Sequence, residues 1–171
     1  MAEALAFSRH ADRATVYAEI APQIDALVGG EADLIANLAN IAAVIRESLG
    51  FFWVGFYLVK GDELVLGPFQ GPVACTRIKR GEGVCGRAWE RGGAVIVPDV
   101  DYFLGHIACS SASRSEIVVP ILHGDGTVAG VLDVDSDREN DFDHTDADGL
   151  GRIVRSIERV IEGHTHPQMN E

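Results

Sequence analysis

"EIVVPILHGDGTVAGVLDVDS", residues 116–136, decides the fold. Two apolar runs, "EIVVPILH" and "TVAGVLDVDS", flank "GDG". Extended runs joined by a Gly/Asp turn predict an antiparallel hairpin. Side chains alternate along a strand, so Asp133 and Asp135 share one face while Leu132 and Val134 take the other. The apolar face needs a partner layer, and the acidic face needs a reason to exist.

The layer comes from both ends of the chain. Residues 12–28 and 31–49 carry apolar positions at helical spacing. In the second run Leu34, Leu38, Ile41 and Ile45 fall three or four apart, acids lie at its start, and Gly50 follows its end. Residues 145–162 place Leu150, Ile153, Ile157, Val160 and Ile161 on one helical face, with Asp143 or Thr145 as cap. "FFWVGFYLV" and "ELVLGPF" around "KGD" form a second hairpin, residues 51–69. Between the hairpins the chain is rich in Gly and Pro, with a short helix at residues 84–90 and a short buried strand in "AVIVPDV". Helices, antiparallel strands, loops, strands and a final helix give an α+β fold: one antiparallel sheet, helices on one face, and a loop-covered pocket on the other. One domain is expected over residues 1–171, with its core at 31–162 and a flexible tail at 163–171.

The bulk composition bounds the function. The chain has 171 residues, 47% of them hydrophobic, and a net charge of −12. That charge argues against nucleic acid and anionic membrane surfaces as partners. No apolar run is long enough to span a bilayer, and the start lacks a signal-peptide pattern, so a soluble cytoplasmic protein is expected. Three cysteines, Cys75, Cys85 and Cys109, argue against a disulfide framework.

Three groups of residues invite a chemical reading, each with a plainer alternative. Glu116 heads the strand paired with the one holding Asp133 and Asp135, so the acids cluster: a proton donor or ammonium site, or a solvated strand end. Trp53 and Tyr57 share a strand face with Gly55 between them, which leaves either a gap for a ligand or one filled by a neighbour. The cysteines follow C-x9-C-x23-C, and Cys75 and Cys85 bracket basic Arg77, Lys79 and Arg80, which would favour thiolates; ordinary core thiols are the alternative. A Cys3His zinc site using His106 lacks the close cysteine pair that usually nucleates one.

Taken together, "FFWVGFY", "LGPFQGPVACTRIKRGEGVCGRA", "VPDV", "GHIACSSASRSEIVVPI" and "GVLDVDS" resemble the free methionine-(R)-sulfoxide reductases, stand-alone GAF-domain enzymes. The resemblance covers about residues 35–155. It implies a six-stranded antiparallel sheet, usually a homodimer, and reduction of free methionine sulfoxide, R at sulfur, with no metal or organic cofactor. By motif it implies Cys109 as nucleophile, Cys75 as resolving thiol and Cys85 as a third cysteine able to join alternative disulfides. Glu116, Asp133 and Asp135 become the acidic pocket and Trp53 and Tyr57 its aromatic wall, with Glu116 the expected proton donor. Thioredoxin is the expected reductant. A GAF small-molecule sensor and a redox-sensing or zinc-binding module are the rival classes.

Overall fold

The computed structural model describes residues 4–105 and 111–165. The elements run α1 (Arg13–Gly29), α2 (Leu34–Leu49), β1 (Trp53–Lys60), β2 (Glu63–Gln70), β3 (Arg77–Lys79), α3 (Gly83–Arg91), β4 (Val95–Val97), β5 (Ser115–Leu122), β6 (Val128–Ser136) and α4 (His144–Thr165), with a 3-10 turn at Val100–Tyr102 after β4. The six strands form one sheet in the order β3-β2-β1-β6-β5-β4, and every neighbouring pair is antiparallel. The two hairpins of the sequence reading are β1–β2 and β5–β6, joined at the centre by β1 against β6.

Register sorts the side chains. Phe56 pairs with Leu132 and Ile117 with Val134, and all four enter the core shared with α1, α2 and α4. Tyr57 pairs with Val131, and Val118 with Asp133, on the opposite face beneath α3. The sheet therefore has a dry helical face and a second face whose apolar cluster is interrupted by carboxylates. No described helix is long and apolar enough to cross a membrane.

Helix ends follow local chemistry. The Asp33 side chain accepts from the Ala36 backbone N–H at 2.9 Å, so this acid caps α2 from outside its first turn. Gly50 closes the helix with φ of 69°. Asp143, not Thr145, caps α4: its carboxylate accepts from the Thr145 N–H at 2.7 Å. That helix runs to Thr165, into the segment read as tail, and residues 166–171 lie outside the described residues. Arg13 at the start of α1 bridges Asp141 and Asp146 at 2.7 and 2.9 Å, tying the two terminal helices together.

The short helix expected at residues 84–90 is α3, whereas β3 escaped the sequence reading. β3 is only three residues, buries Ile78 alone, and exists by pairing with β2. α3 spans Gly83–Arg91 and packs close against the β3 end, since a Cβ on Gly86 would lie 2.4 Å from the Lys79 carbonyl oxygen. Only glycine allows that approach, and it turns Cys85 inward over the sheet.

Candidate active site

The acidic face of β6 forms the floor of a pocket. Glu116 and Asp135 are cross-strand partners, and Asp133 sits two residues along β6, opposite Gly55 of β1. Trp53 and Tyr57 of β1, Cys85 of α3, Ala74 of the β2–β3 loop and Ser113 before β5 complete the walls. Side-chain alternation thus places Asp133 and Asp135 together, with Glu116 at their side. The free space inside is about 40 Å³.

The acids stand in unlike surroundings. Glu116 and Asp133 are each only 6% exposed, whereas Asp135 is half-buried. Asp133 is thus buried as deeply as Glu116, the expected proton donor, with Cys85 and Tyr57 lining the same pocket. Burial, then the charge of Asp135, pushes the Glu116 carboxyl well above its ordinary range, against a smaller opposing effect of hydrogen bonding with Asp133. Burial likewise raises Asp133, reinforced by the charges of Asp135 and Glu116. Like charges this close in a dry site repel, so burial and mutual charge both favour the protonated carboxyls. Cys85 and Glu116 both approach Asp133, yet Asp133 Oδ1 is buried with no hydrogen-bond partner of normal geometry. The Ser113 hydroxyl donates to Asp135 Oδ1. Ser113 went unnoticed in the sequence because nothing separates it from the other small polar residues of "SSASRS".

Of the two alternatives at Gly55, the one filled by neighbouring side chains is observed. A Cβ on Gly55 would meet the Trp53 ring at 2.3 Å and the Phe69 Cβ at 2.5 Å, so the space over Gly55 is filled by the indole of Trp53 itself. That ring stacks on Phe69 at 5.4 Å and lies 6.1 Å from Tyr57. Its Nε1–H donates to the Pro72 carbonyl at 3.0 Å, and the Tyr57 hydroxyl donates to the Cys75 carbonyl at 2.9 Å. Both aromatics therefore hold the β2–β3 loop that carries Cys75. Burial, with the neighbouring acids, raises the Tyr57 phenol further and keeps it a neutral donor.

The cysteines separate by environment. Cys75, next to the pocket residue Ala74, is disulfide-bonded. Cys85 is a free, buried thiol, and burial followed by the charges of Asp133 and Glu116 pushes its pKa well up. The expected thiolate activation by basic neighbours does not reach it. Alternation along β3 turns Arg77 and Lys79 outward and Ile78 inward. Arg77 pairs with Glu63 at 3.0 Å, and Arg80 lies over the Trp89 ring. Cys109 and His106 lie outside the described residues.

Comparison with known proteins bears on this site. The GAF domain family matches residues 31–162. The chain is 54% identical to GAF domain-containing protein A of Dictyostelium discoideum, over 92% of this chain and 99% of that one. It is 45% identical to the free methionine-R-sulfoxide reductase of Escherichia coli, over 85% of this chain and 88% of its relative. Among solved structures, a free methionine-R-sulfoxide reductase from Neisseria meningitidis in complex with its substrate superposes with a TM-score of 0.89 at 58% identity, covering 92% of this chain and 94% of that one.

Proposed function

Because the chain belongs to the GAF-domain family, and within it to the free methionine-R-sulfoxide reductases, we propose that it reduces free L-methionine (R)-S-oxide to L-methionine. The observation that carries the mechanism is a disulfide-bonded Cys75 beside a pocket whose Glu116 and Asp133 carboxyls are buried, which pushes both well above the ordinary carboxyl range. A sulfoxide sulfur accepts a nucleophile only as its oxygen gains a proton, so thiol and acid must converge.

In this reading the Cys109 thiolate attacks the sulfoxide sulfur while Glu116 protonates the departing oxygen. The hydroxyl then passes from the substrate sulfur to Cys109 Sγ as the bond between the two sulfurs breaks, methionine leaves with that electron pair as its new lone pair, and Cys109 is left as a sulfenic acid. The Cys75 thiol attacks that sulfur, water departs, and a Cys75–Cys109 disulfide remains. Cys85 is held as a neutral thiol by its acidic neighbours and is a reserve resolving group, not the first nucleophile. Asp133 and Asp135 take the substrate ammonium, which supplies the countercharge that the cluster lacks; Trp53 and Tyr57 flank the S-methyl group, and backbone N–H groups of the covering loops receive the carboxylate. A residue within a polypeptide has neither charge, which explains selectivity for the free amino acid.

The pocket's free space suits about three waters and no amino acid, so in this reading the β2–β3 loop moves outward to admit substrate. An external dithiol, thioredoxin in this reading, attacks the disulfide and is itself oxidised, which places the cycle in a reducing compartment such as the cytoplasm. The functional unit is a homodimer, which sedimentation equilibrium tests. The reading as a whole is tested by thioredoxin-dependent NADPH consumption with each sulfoxide epimer and with an N-acetylated, amide-capped analogue. Consumption with the free R epimer alone is expected. Binding of the sulfoxide without turnover would make the protein a sensor.

A further inference from the structure

The base of the pocket brings a thiol and two carboxylates together. Cys85 Sγ, a Glu116 carboxylate oxygen and an Asp133 carboxylate oxygen all lie within 4.8 Å of one another, and all three residues are buried. They come from three elements, α3, β5 and β6, whose backbones fix them around one point. Asp133 lines the pocket, and its Oδ1 is buried with no hydrogen-bond partner. A lone acceptor in a dry pocket is costly unless something positive or donating meets it. Among the described residues lining the pocket there is no Lys, Arg or His to do so. The free space of about 40 Å³ has the size of an ion with a water or two.

We propose that Cys85, Glu116 and Asp133 form a binding site for one zinc-class divalent cation, and that its occupation shuts the pocket against substrate. The second half rests on the reading of this pocket as the substrate site. On binding, the Cys85 S–H bond breaks, an S–metal bond forms, and the thiol proton and any carboxyl protons leave to solvent; no electron is transferred. Tetrahedral Zn²⁺ with normal Zn–S and Zn–O bonds needs ligand atoms on the order of 3.5 Å apart. Small rotations of the two carboxylates and the thiol close the distance, with no movement of the sheet. Three protein ligands leave the fourth position to a water in the free space. The thiolate selects Zn²⁺ or Cd²⁺ over Mg²⁺ and Ca²⁺, which demand more oxygens. The cation takes the carboxylates that the substrate ammonium and the proton transfer need, so the two occupants exclude each other.

The experiment uses the full chain in its disulfide form, with one free thiol per chain verified by titration after unfolding, so that a metal–thiolate band reports Cys85. Cd²⁺ added to this protein is expected to produce a thiolate charge-transfer band saturating at one ion per chain, displaced by Zn²⁺ and unaffected by excess Mg²⁺. Cys85→Ser should abolish the band. Glu116→Gln and Asp133→Asn should each weaken Zn²⁺ binding by calorimetry at least about tenfold, the low end of what loss of a supporting group costs a metal site. Should a variant fail to fold, protection of the wild-type Cys85 from slow alkylation by Zn²⁺ reads the same site. Absence of the band in wild type, or a band untouched by both carboxylate variants, overturns the site. With the reduced protein, Zn²⁺ should raise the apparent KM for the sulfoxide without changing kcat, and a chelator should reverse this; unchanged KM at saturating Zn²⁺ overturns the exclusion. The metal titration contains no substrate, so a protein with no reductase activity would sink the proposed function while leaving the site to its own result.

Discussion

Replacing Asp133 by Asn separates what this residue costs the fold from what it gives the substrate. In the wild type Asp133 Oδ1 is buried without a partner and its carboxyl faces Glu116 and Asp135. A buried unsatisfied group costs about 1–3 kcal/mol. The isosteric amide cannot ionise, and its N–H can donate to a neighbouring carboxylate. Recovering the lower part of that range, about 1 kcal/mol, would raise Tm by roughly 2–4 °C in a chain of this size. The gain must depend on pH. The folded-state pKa of Asp133 lies above its ordinary value of 3.8, so the folded protein keeps a proton that the unfolded chain releases. Wild-type stability from this group is fully present below that value and is lost as pH rises through the raised folded pKa. The Asn variant is spared the loss. The difference in Tm, variant minus wild type, should therefore grow from acid to mildly alkaline pH and then level off. Kinetics should move the other way. A charged hydrogen bond to the substrate ammonium is worth about 1.5–3 kcal/mol, which is roughly 10- to 150-fold in KM. Melting by circular dichroism across pH and steady-state kinetics, both with chelator present, read the two effects. A Tm difference that is flat with pH, or an unchanged KM, would refute the reasoning.

Two further substitutions probe other parts of the site. Cys75→Ser should release about one methionine per chain in a first turnover and then fail to cycle with thioredoxin, because the sulfenic acid has lost its resolving thiol; normal cycling would move that role to Cys85. Gly86→Ala should lower stability by about 1–3 kcal/mol in denaturant titration despite the better helix propensity of Ala, since its Cβ would sit 2.4 Å from the Lys79 carbonyl and 3.0 Å from the Gly81 nitrogen; a neutral or stabilising effect would show that α3 tolerates lifting from β3.

The parts of the molecule readable in the sequence are those set by local periodicity. β1–β2 and β5–β6 announce themselves through period-two patterning and tight turns, and the same alternation puts Asp133 and Asp135 on the face away from Leu132 and Val134. What depends on distant packing was not readable. β3 has three residues, and its strand character comes from β2. The basic residues around Cys85 suggest an activated thiolate, but strand parity sends Arg77 and Lys79 to solvent while α3 carries Cys85 toward carboxylates from the far side of the sheet. The indole of Trp53 folds over Gly55, a rotamer outcome that no spacing encodes. The burial of Asp133 is likewise a product of the elements above it. The roles of Cys109 and Cys75 come from motif resemblance, since chemistry alone leaves three cysteines equivalent in the sequence.

The central claim is that a single cysteine, Cys109, attacks the sulfoxide and that the pocket acids protonate its oxygen. The most direct measurement is methionine released in one turnover by pre-reduced protein, with no external reductant, from free methionine (R)-sulfoxide. The wild type should release about one methionine per chain and lose two thiols, and Cys109→Ser should release none while still folding. Release of methionine by Cys109→Ser at the wild-type level would contradict the account.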